Sequence, residues 1–191
     1  DESKTLEDWA DEIHNTLKEI MPEVKTADER VESFLSGGVD SSYVLAMSDA
    51  ERADCCGYEE ERFDESVLAE KTAQLLGRKF SRSIITPEQF FDIVPYVMYN
   101  MEQPLGDASA IVFTLGCNAT AEHTKICYSG EGADEFFGGY NMYRNAERYG
   151  ENLKTFYVGN TNIMKEDEKK KILKKYVSDA EKYLEVSSLE K

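Results

Sequence analysis

Apolar residues recur every three or four positions near the start of the chain, which predicts an amphipathic helix. They are Leu6, Trp9, Ile13, Leu17 and Ile20. Pro22 follows them, and because proline lacks a backbone N–H and clashes with the preceding turn, we expect the helix to end there. The chain therefore opens with one helix that carries an apolar stripe.

Four short segments farther along the chain, apolar or alternating between apolar and polar residues, predict β-strands. They span residues 31–35, 53–58, 78–85 and 125–128. Longer segments with helical spacing separate them. Strands that alternate with helices form parallel sheets covered on both faces. The sequence therefore predicts an α/β fold with a doubly wound, mainly parallel sheet and helices on both faces.

Capping residues indicate where the helices between these strands begin. The helix after the first strand begins near Asp40, and Asp64 is the expected N-cap of the next helix, which ends at Gly77. Thr86 opens a capping box with proline at the first helical position. Asp107 is expected to cap the helix that precedes the last strand.

The length of the chain bounds its domain organisation. Its 191 residues accommodate one domain with a buried core and a small appendage. We expect residues 1–145 to form the α/β domain with its N-terminal helix, and residues 146–191 to form a helical C-terminal segment that is cut short. Apolar residues at helical spacing between about 165 and 186 support the second expectation.

Charge and cysteine content exclude several classes of function. The chain has 22 basic and 38 acidic residues and a formal net charge of −16, which argues against nucleic acid and anionic membranes as partners. No hydrophobic run reaches membrane-spanning length. The cysteines lie in apolar stretches without metal-binding spacing, as expected for buried, reduced thiols in a cytoplasmic protein. They are Cys55, Cys56, Cys117 and Cys127.

The most informative segment follows the first predicted strand and reads Ser36-Gly37-Gly38-Val39-Asp40-Ser41-Ser42. Adjacent glycines let the backbone turn tightly and approach a ligand where a Cβ would collide. The helix that follows points its unpaired N–H groups, and the positive end of its dipole, at an anion in this turn. The segment predicts a phosphate-binding loop, although its spacing is not that of a Walker loop and no lysine follows the glycines.

Asp40 adds a carboxylate beside the predicted anion, which suggests a divalent cation between the two negative charges. A simpler interpretation stays open at this point, in which the glycines form an ordinary turn and Ser41 or Asp40 caps a helix. A second glycine-rich segment, after the last predicted strand, helps to decide between a ligand-binding loop and an ordinary turn.

A second glycine-rich and acidic segment follows the last predicted strand. It reads Ser129-Gly130-Glu131-Gly132-Ala133-Asp134-Glu135-Phe136-Phe137-Gly138-Gly139-Tyr140. Open α/β sheets bind ligands at the carboxyl ends of their strands, so we expect the two segments to converge on one crevice. There Asp40 and Asp134 would share Mg²⁺ with a polyphosphate, and Glu131 would transfer a proton. Taken alone, the segment is also compatible with a loop of solvated acids.

Together the two segments resemble the synthetase domain of glutamine-dependent asparagine synthetases. The first resembles the pyrophosphate loop of the wider ATP-pyrophosphatase group, and the second is more specific to asparagine synthetases and the related β-lactam synthetases. Residues 57–66 and 102–111 are also similar to this family, and the resemblance extends over about residues 5–165. It implies an adenine-nucleotide α-hydrolase-like fold.

The resemblance implies an ATP-dependent ligase that makes asparagine. In this family the aspartate side-chain carboxylate attacks the α-phosphate of ATP, which yields β-aspartyl-adenylate and pyrophosphate, and ammonia then displaces AMP. Glu131 matches the glutamate needed for amide formation, and Asp40 and Asp134 match the Mg²⁺ ligands. Pyrophosphate would be bound by Ser36, Gly37, Gly38, Asp40, Ser41 and Ser42. Adenosine would be bracketed by the backbone at Phe34, Cys56 and Gly130, with Ser129.

The chain also departs from the family pattern. Intact members begin with a cysteine that hydrolyses glutamine, whereas this chain begins with Asp1, so we expect the glutaminase domain to belong to a longer, full-length chain. The family's Arg-Pro-Phe-Leu-Asp-like stretch and its later phosphate-contacting lysine are not found after Tyr140. We therefore expect this piece to retain nucleotide binding better than catalysis.

Two alternatives stay open for the function. The first is another adenylating amidotransferase or a β-lactam synthetase-like enzyme, since no residue proves that aspartate is the acceptor. The second is a non-catalytic nucleotide-binding module, although the acids at positions 40, 131 and 134 weigh against a decayed site. The sequence leaves the oligomeric state open, a homodimer included.

Overall fold

The computed structural model describes residues 3–24, 30–102 and 108–141. The helices span Leu6–Val24 (α1), Val39–Met47 (α2), Ser66–Leu75 (α3), Pro87–Met101 (α4), Ser109–Thr120 (α5) and Ala133–Phe137 (α6). The strands span Val31–Phe34 (β1), Arg52–Tyr58 (β2), Lys79–Ile85 (β3) and Ile126–Tyr128 (β4). The predicted helical segment 146–191 lies outside the described residues.

The four strands form one parallel sheet in the order β3-β2-β1-β4. Glu32 of β1 lies opposite Arg52 of β2 on one side and opposite Cys127 of β4 on the other. From β1 the chain winds outward through β2 to β3, and it then returns to the far side of β1 as β4. The predicted parallel, doubly wound sheet is confirmed.

One face of the sheet holds the apolar core. Alternate residues of the central strands point to it, and small side chains of α3 let that helix approach β2 closely. The buried members of this cluster are Val31, Leu35, Leu45, Ala50, Ala53, Cys55, Ala69, Ala73 and Tyr128. This core fixes α2 and α3 against the strands that they connect.

Helix α5 covers the opposite face of the sheet. The ring of Phe34 packs against Phe113 with centroids 5.2 Å apart. A Cβ on Gly116 would lie 2.9 Å from the Cys56 sulfur, so only glycine allows α5 this close to β2. Helices therefore cover both faces, as the alternation of elements predicts.

Two predicted helix boundaries are wrong. α1 continues through Pro22 to Val24. Proline removes one backbone donor and crowds the carbonyl of the preceding turn, but because Pro22 lies in the last turn of α1 this cost is confined to the end of the helix. Asp64 is not the N-cap of α3, because Glu65 holds that position. The Asp64 carboxylate caps the helix from one residue farther back, by accepting the Ser66 N–H at 3.2 Å.

Other boundaries agree with the predictions to within one residue or are confirmed outright. The Thr86 hydroxyl accepts the Gln89 N–H at 3.2 Å and the Gln89 side chain accepts the Thr86 N–H at 3.0 Å, which is the predicted capping box. Asp107 lies outside the described residues, and Ala108 holds the N-cap of α5. β1 ends at Phe34 rather than at residue 35.

All four cysteines are free thiols. Cys55 is buried and the other three are half-buried, so the expectation of buried thiols is confirmed for Cys55 alone. Burial raises the pKa of both Cys55 and Cys127 to about 12, which keeps these thiols protonated and unreactive at neutral pH.

The chain divides into two compact units, Asp1–Ala133 and Asp134–Lys191. The sheet belongs to the first, and residues 134–141 are the described part of the second. Among residues 3–24, 30–102 and 108–141, none of the helices combines the length and apolar character needed to cross a membrane. The predicted domain boundary near residue 145 stays a prediction.

Candidate functional site

Both glycine-rich segments begin where neighbouring parallel strands end. Residues 36–42 follow β1 and residues 129–133 follow β4, and the two strands are adjacent in the sheet. After β1 the chain adds β2 and β3 on one side of β1, and it then adds β4 on the other side, so the direction of winding reverses at β1. Open α/β sheets form their ligand crevice at such a switch point, at the carboxyl ends of the strands.

The first loop turns at Gly37 and opens the helix α2. Gly37 has a φ of +87°, in the left-handed region that favours glycine. Gly38 holds the N-cap position, and because glycine has no side chain it cannot cap the helix in the way that serine or aspartate does. The first turn of α2, which contains the half-buried Asp40, therefore begins without a side-chain cap from that position. Uncapped N–H groups and the helix dipole make such a terminus suited to an anion.

The serine hydroxyls of this loop bind the loop itself. The Ser41 hydroxyl is buried, accepts the Ser36 N–H at 3.1 Å and lies 3.0 Å from the Ser36 hydroxyl. Ser36 in turn accepts the Gly38 N–H at 3.2 Å, and Ser42 donates to the Gly38 carbonyl at 2.7 Å. These bonds constrain the loop backbone from within.

The second loop makes direct contact with the first through Gly130. A Cβ at Gly130 would lie 2.7 Å from the Ser41 backbone nitrogen and 3.0 Å from the Asp40 carbonyl carbon. Real Cβ atoms do not approach backbone this closely, so a side chain here would force the loops apart. The structure thus brings together the two segments that the sequence predicts to converge.

Glu131 follows this contact and is exposed to solvent. Its N–H donates to the Ser129 hydroxyl at 3.0 Å, which fixes the backbone between the two glycines that flank it. Gly132 has a φ of +93°, so the chain turns sharply after Glu131. The carboxylate therefore stands on a constrained turn while its side chain remains open to a ligand.

Asp134 lies in the first turn of α6, in the second compact unit. A Cβ at Gly139 would lie 1.9 Å from one Asp134 carboxylate oxygen, and the Gly139 N–H donates to the Asp134 carbonyl at 3.0 Å. Gly139 thus makes room for the Asp134 carboxylate. Among the described residues, no group of three or more potential metal ligands is clustered. Mg²⁺ shared by Asp40 and Asp134 stays a prediction.

Phe34 and Cys56 commit their side chains to the interface with α5. The Phe34 ring contacts Phe113, and the Cys56 sulfur lies against Gly116. Burial raises the pKa of the Cys56 thiol. Both side chains are thus committed to packing, and the backbone role that the resemblance implies for these two residues stays a prediction.

Sequence reasoning missed a pair of acids inside the sheet. The Glu32 side chain is 1% exposed, and its nearest cation is the Arg52 guanidinium at 3.6 Å. Asp54 lies nearby on β2, and burial, followed by the neighbouring Glu32, raises its pKa to about 7. Apart from the hydrogen bond between the two acids themselves, no described residue donates to either Glu32 carboxylate oxygen or to Asp54 Oδ2. An acid at an inward position of a predicted strand was the signal available in the sequence.

Comparison with known proteins shows which family the sequence resembles. The family model described as Asparagine synthase matches residues 12–190. The chain is 29% identical over 214 residues to asparagine synthetase (glutamine-hydrolysing) 1 of Bacillus subtilis, with 92% of this chain and 33% of that protein covered. It is 28% identical over 155 residues to amidase chyE of Penicillium rubens, covering 69% of this chain and 23% of that protein.

A solved structure is also similar at lower identity. Glutamine-dependent NAD⁺ synthetase from Acinetobacter baumannii, in complex with ADP, shares 21% identity with a TM-score of 0.49, covering 72% of this chain and 28% of that one. The chain spans only 33% of the length of the Bacillus subtilis relative. Because the family match extends over nearly the whole sequence, the chain belongs to the asparagine synthase family.

Proposed function

We propose that the crevice between the two loops binds Mg-ATP and that the domain uses it to adenylate the side-chain carboxylate of aspartate. The observation that carries the proposal is the contact of Gly130 with the first turn of α2. This contact joins the N-terminus of α2, which has no side-chain cap, to the loop that carries the exposed Glu131. Both lie at the switch point of the sheet. Membership of the asparagine synthase family supports the same reaction class.

In this proposal the first loop binds the leaving pyrophosphate. Its anion ligands are the main-chain N–H groups at the start of α2, because the hydroxyls of Ser36 and Ser41 already bond within the loop. Mg²⁺, when bound, neutralises phosphate charge, and it commonly takes one or two protein carboxylates in addition to substrate oxygens. Asp40 and Asp134 offer the hard oxygen ligands that this ion prefers.

Glu131 is proposed to accept a proton during amide formation. Ammonia that attacks the acyl-adenylate becomes positively charged at nitrogen, and a carboxylate at hydrogen-bond distance can remove the surplus proton. Glu131 is exposed and stands on a backbone fixed by Ser129 and Gly132. Its position beside Gly130 sets it close to the proposed nucleotide site.

The source of ammonia is proposed by analogy with the matched relatives. The Bacillus subtilis relative is named as glutamine-hydrolysing, and this chain covers 33% of its length. We propose that a glutaminase domain supplies ammonia in the full-length protein, that residues 1–145 form the synthetase domain, and that the protein works in the cytoplasm.

The experiment is a pair of assays on the purified protein. Mg-ATP binding is measured by calorimetry, and pyrophosphate release is measured with aspartate and with ammonium chloride as the nitrogen source. The proposal predicts Mg-ATP binding and, in the full-length protein, pyrophosphate release that depends on aspartate. Absence of aspartate-dependent release from the full-length protein would contradict the assigned acceptor.

The variant D40A tests the magnesium assignment separately. Loss of one carboxylate ligand is expected to weaken Mg-ATP binding by about tenfold or more, while ATP without metal is affected less. E51Q is the matched control, since Glu51 is an exposed acid that precedes β2 and pairs with Lys79, the first residue of β3. An unchanged affinity for Mg-ATP in D40A would refute the role of Asp40.

A second acceptor is the main alternative. One protein to which the chain is similar is named amidase chyE, a name that differs from asparagine synthetase. Pyrophosphate release with a panel of carboxylic acids in place of aspartate distinguishes the two candidates.

A further inference from the structure

Asp64 connects three structural elements next to the proposed site. Its carboxylate accepts the Ser66 hydroxyl at 3.0 Å and the Ser66 N–H at 3.2 Å, at the start of α3. It also accepts the Tyr58 N–H at 3.4 Å, at the end of β2. Arg82 of β3 donates to it at 2.6 Å. One side chain thus ties the first turn of α3 to two neighbouring strands.

The same turn of α3 supports the first glycine-rich loop. A Cβ on Gly37 would lie 3.3 Å from the Glu65 carbonyl oxygen and 3.4 Å from the Ala69 nitrogen. The Glu65 carbonyl also accepts the N–H groups of Leu68 and Ala69, so it belongs to the opening turn of the helix. Gly37 therefore rests on the turn that Asp64 holds.

The surroundings of Asp64 are shaped for a charged carboxylate. The Asp64 side chain is 7% exposed, and Ser66 is buried beside it. A Cβ on Gly57 would come within 2.8 Å of both Asp64 and Arg82, so glycine is required where β2 passes this pair. The hydrogen bond from Ser66 is the largest effect that lowers the pKa of Asp64, which keeps it ionised at neutral pH.

We propose that Asp64 is a positioning residue for the pyrophosphate loop, which it holds in its binding conformation through the first turn of α3. The proposal rests on the proposed function for the identity of the bound group. Three contacts connect Arg82 with the loop. Arg82 binds Asp64, Asp64 binds Ser66, and the carbonyl of Glu65, the residue before Ser66, lies against Gly37. The hydrogen bonds of Asp64 go to Tyr58, Ser66 and Arg82, which lie outside the loop, so its effect on the loop is exerted through the helix.

A purely structural role makes a different prediction from a positioning role. If Asp64 only caps α3, its loss lowers the stability of the fold and leaves the folded loop unchanged. If it positions the loop, the loop loosens in molecules that are still folded. The discriminating measurement is therefore amide exchange within the loop, at a temperature where the fold is intact.

The test compares D64N with E51Q, which neutralises an exposed acid at the opposite ends of β2 and β3. Asparagine keeps the size of Asp64 but sets an amide against the Arg82 donor. The amides of Ser36 and Ser42 form hydrogen bonds within the loop and report its order. In D64N we expect both to exchange about tenfold faster, and Mg-pyrophosphate to bind about tenfold more weakly. E51Q should change neither.

R82Q gives a second and milder variant, because Arg82 is partly exposed and its loss leaves the Ser66 bonds in place. It should shift loop exchange in the same direction by a smaller factor, and R82K should restore it. Unchanged exchange of Ser36 and Ser42 in folded D64N and R82Q overturns the inference. If the wild-type protein binds no pyrophosphate, the proposed function fails, while loop exchange still decides the role of Asp64.

Discussion

Two polar regions of the same sheet are built in opposite ways. At the carboxyl ends of β1 and β4, loop hydroxyls and amides bond to one another, and Gly130 fits where any side chain would collide. Inside the sheet, Glu32 and Asp54 bring two carboxylates together with few hydrogen-bond donors. The first region is the proposed nucleotide site, whereas the second imposes a pH-dependent cost on folding.

The largest effect is expected from E131Q, which tests whether the loop region does chemistry as well as binding. Loss of the proton acceptor should slow amide formation by about 10²-fold or more, while Mg-ATP affinity stays within about twofold. The measurement is asparagine formation from ammonia, alongside calorimetry of Mg-ATP.

E122Q is the matched control, because Glu122 is an exposed acid just before β4. It should retain both activity and affinity. An equal loss of ATP affinity and turnover in E131Q would instead indicate that Glu131 maintains the loop.

The next effect is expected from G130A, which forces the two loops apart. The added Cβ would lie 2.7 Å from the Ser41 nitrogen, so the loops must shift. We expect Mg-ATP binding to weaken by about 100-fold, and the free energy of unfolding to fall by about 1–3 kcal/mol.

G77A provides the comparison, since a Cβ added at Gly77 would meet nothing within 4 Å, although Gly77, unlike Gly130, has a positive φ that strains any side chain. It should cost about 1 kcal/mol of stability and leave affinity intact. Wild-type affinity in G130A would show that the contact between the loops is irrelevant to binding.

The acid pair should make stability fall as pH rises. The pKa of Asp54 is about 7 in the folded protein against 3.8 unperturbed, so only the folded state keeps this proton between the two values. The free energy of unfolding should therefore decrease over this range by at most about 1.4 kcal/mol per pH unit. Below about pH 4 and above about pH 7, Asp54 does not make the free energy of unfolding depend on pH.

D54N removes this titration and E32Q weakens it, because after burial the hydrogen bond with Glu32 and then the Glu32 charge raise the pKa of Asp54. Urea denaturation at several pH values measures the difference between each variant and wild type. The same slope in wild type and D54N would exclude the pair as the source. Mg-ATP affinity should be unaffected in both variants, which separates this region from the loops.

The smallest effect is expected outside both regions. T86A removes the capping box of α4 and should lower the free energy of unfolding by about 1 kcal/mol, with no change in ATP affinity or in the pH slope. Thermal unfolding measures it. A change in affinity would mean that the site depends on general stability rather than on loop geometry.

Local signals in the sequence predict the elements and the positions of the two glycine-rich loops well. The capping box at Thr86 involves neighbours three residues apart, and each glycine-rich loop directly follows its strand. Their convergence also follows from the sequence, because parallel strands end at one edge and the two loops follow strands on either side of the switch point.

Contacts between distant segments could not be predicted in the same way. Glu32 meets Asp54 only through the register of β1 with β2. Asp64 meets Arg82 only because β3 lies beside β2. The Asp64 cap was misplaced by one residue for a related reason, since its carboxylate binds Tyr58 and Arg82 as well as the helix.

The most direct test of a shared nucleotide site is an NMR titration of ¹⁵N-labelled protein with Mg-ATP. The amides of Gly38 and Ser41 report the first loop, and the amide of Gly130 reports the second. Because Gly130 lies against Ser41, we predict that all three shift together with a single Kd. Saturation of one loop without a response from the other would contradict the claim that the two loops form one nucleotide site.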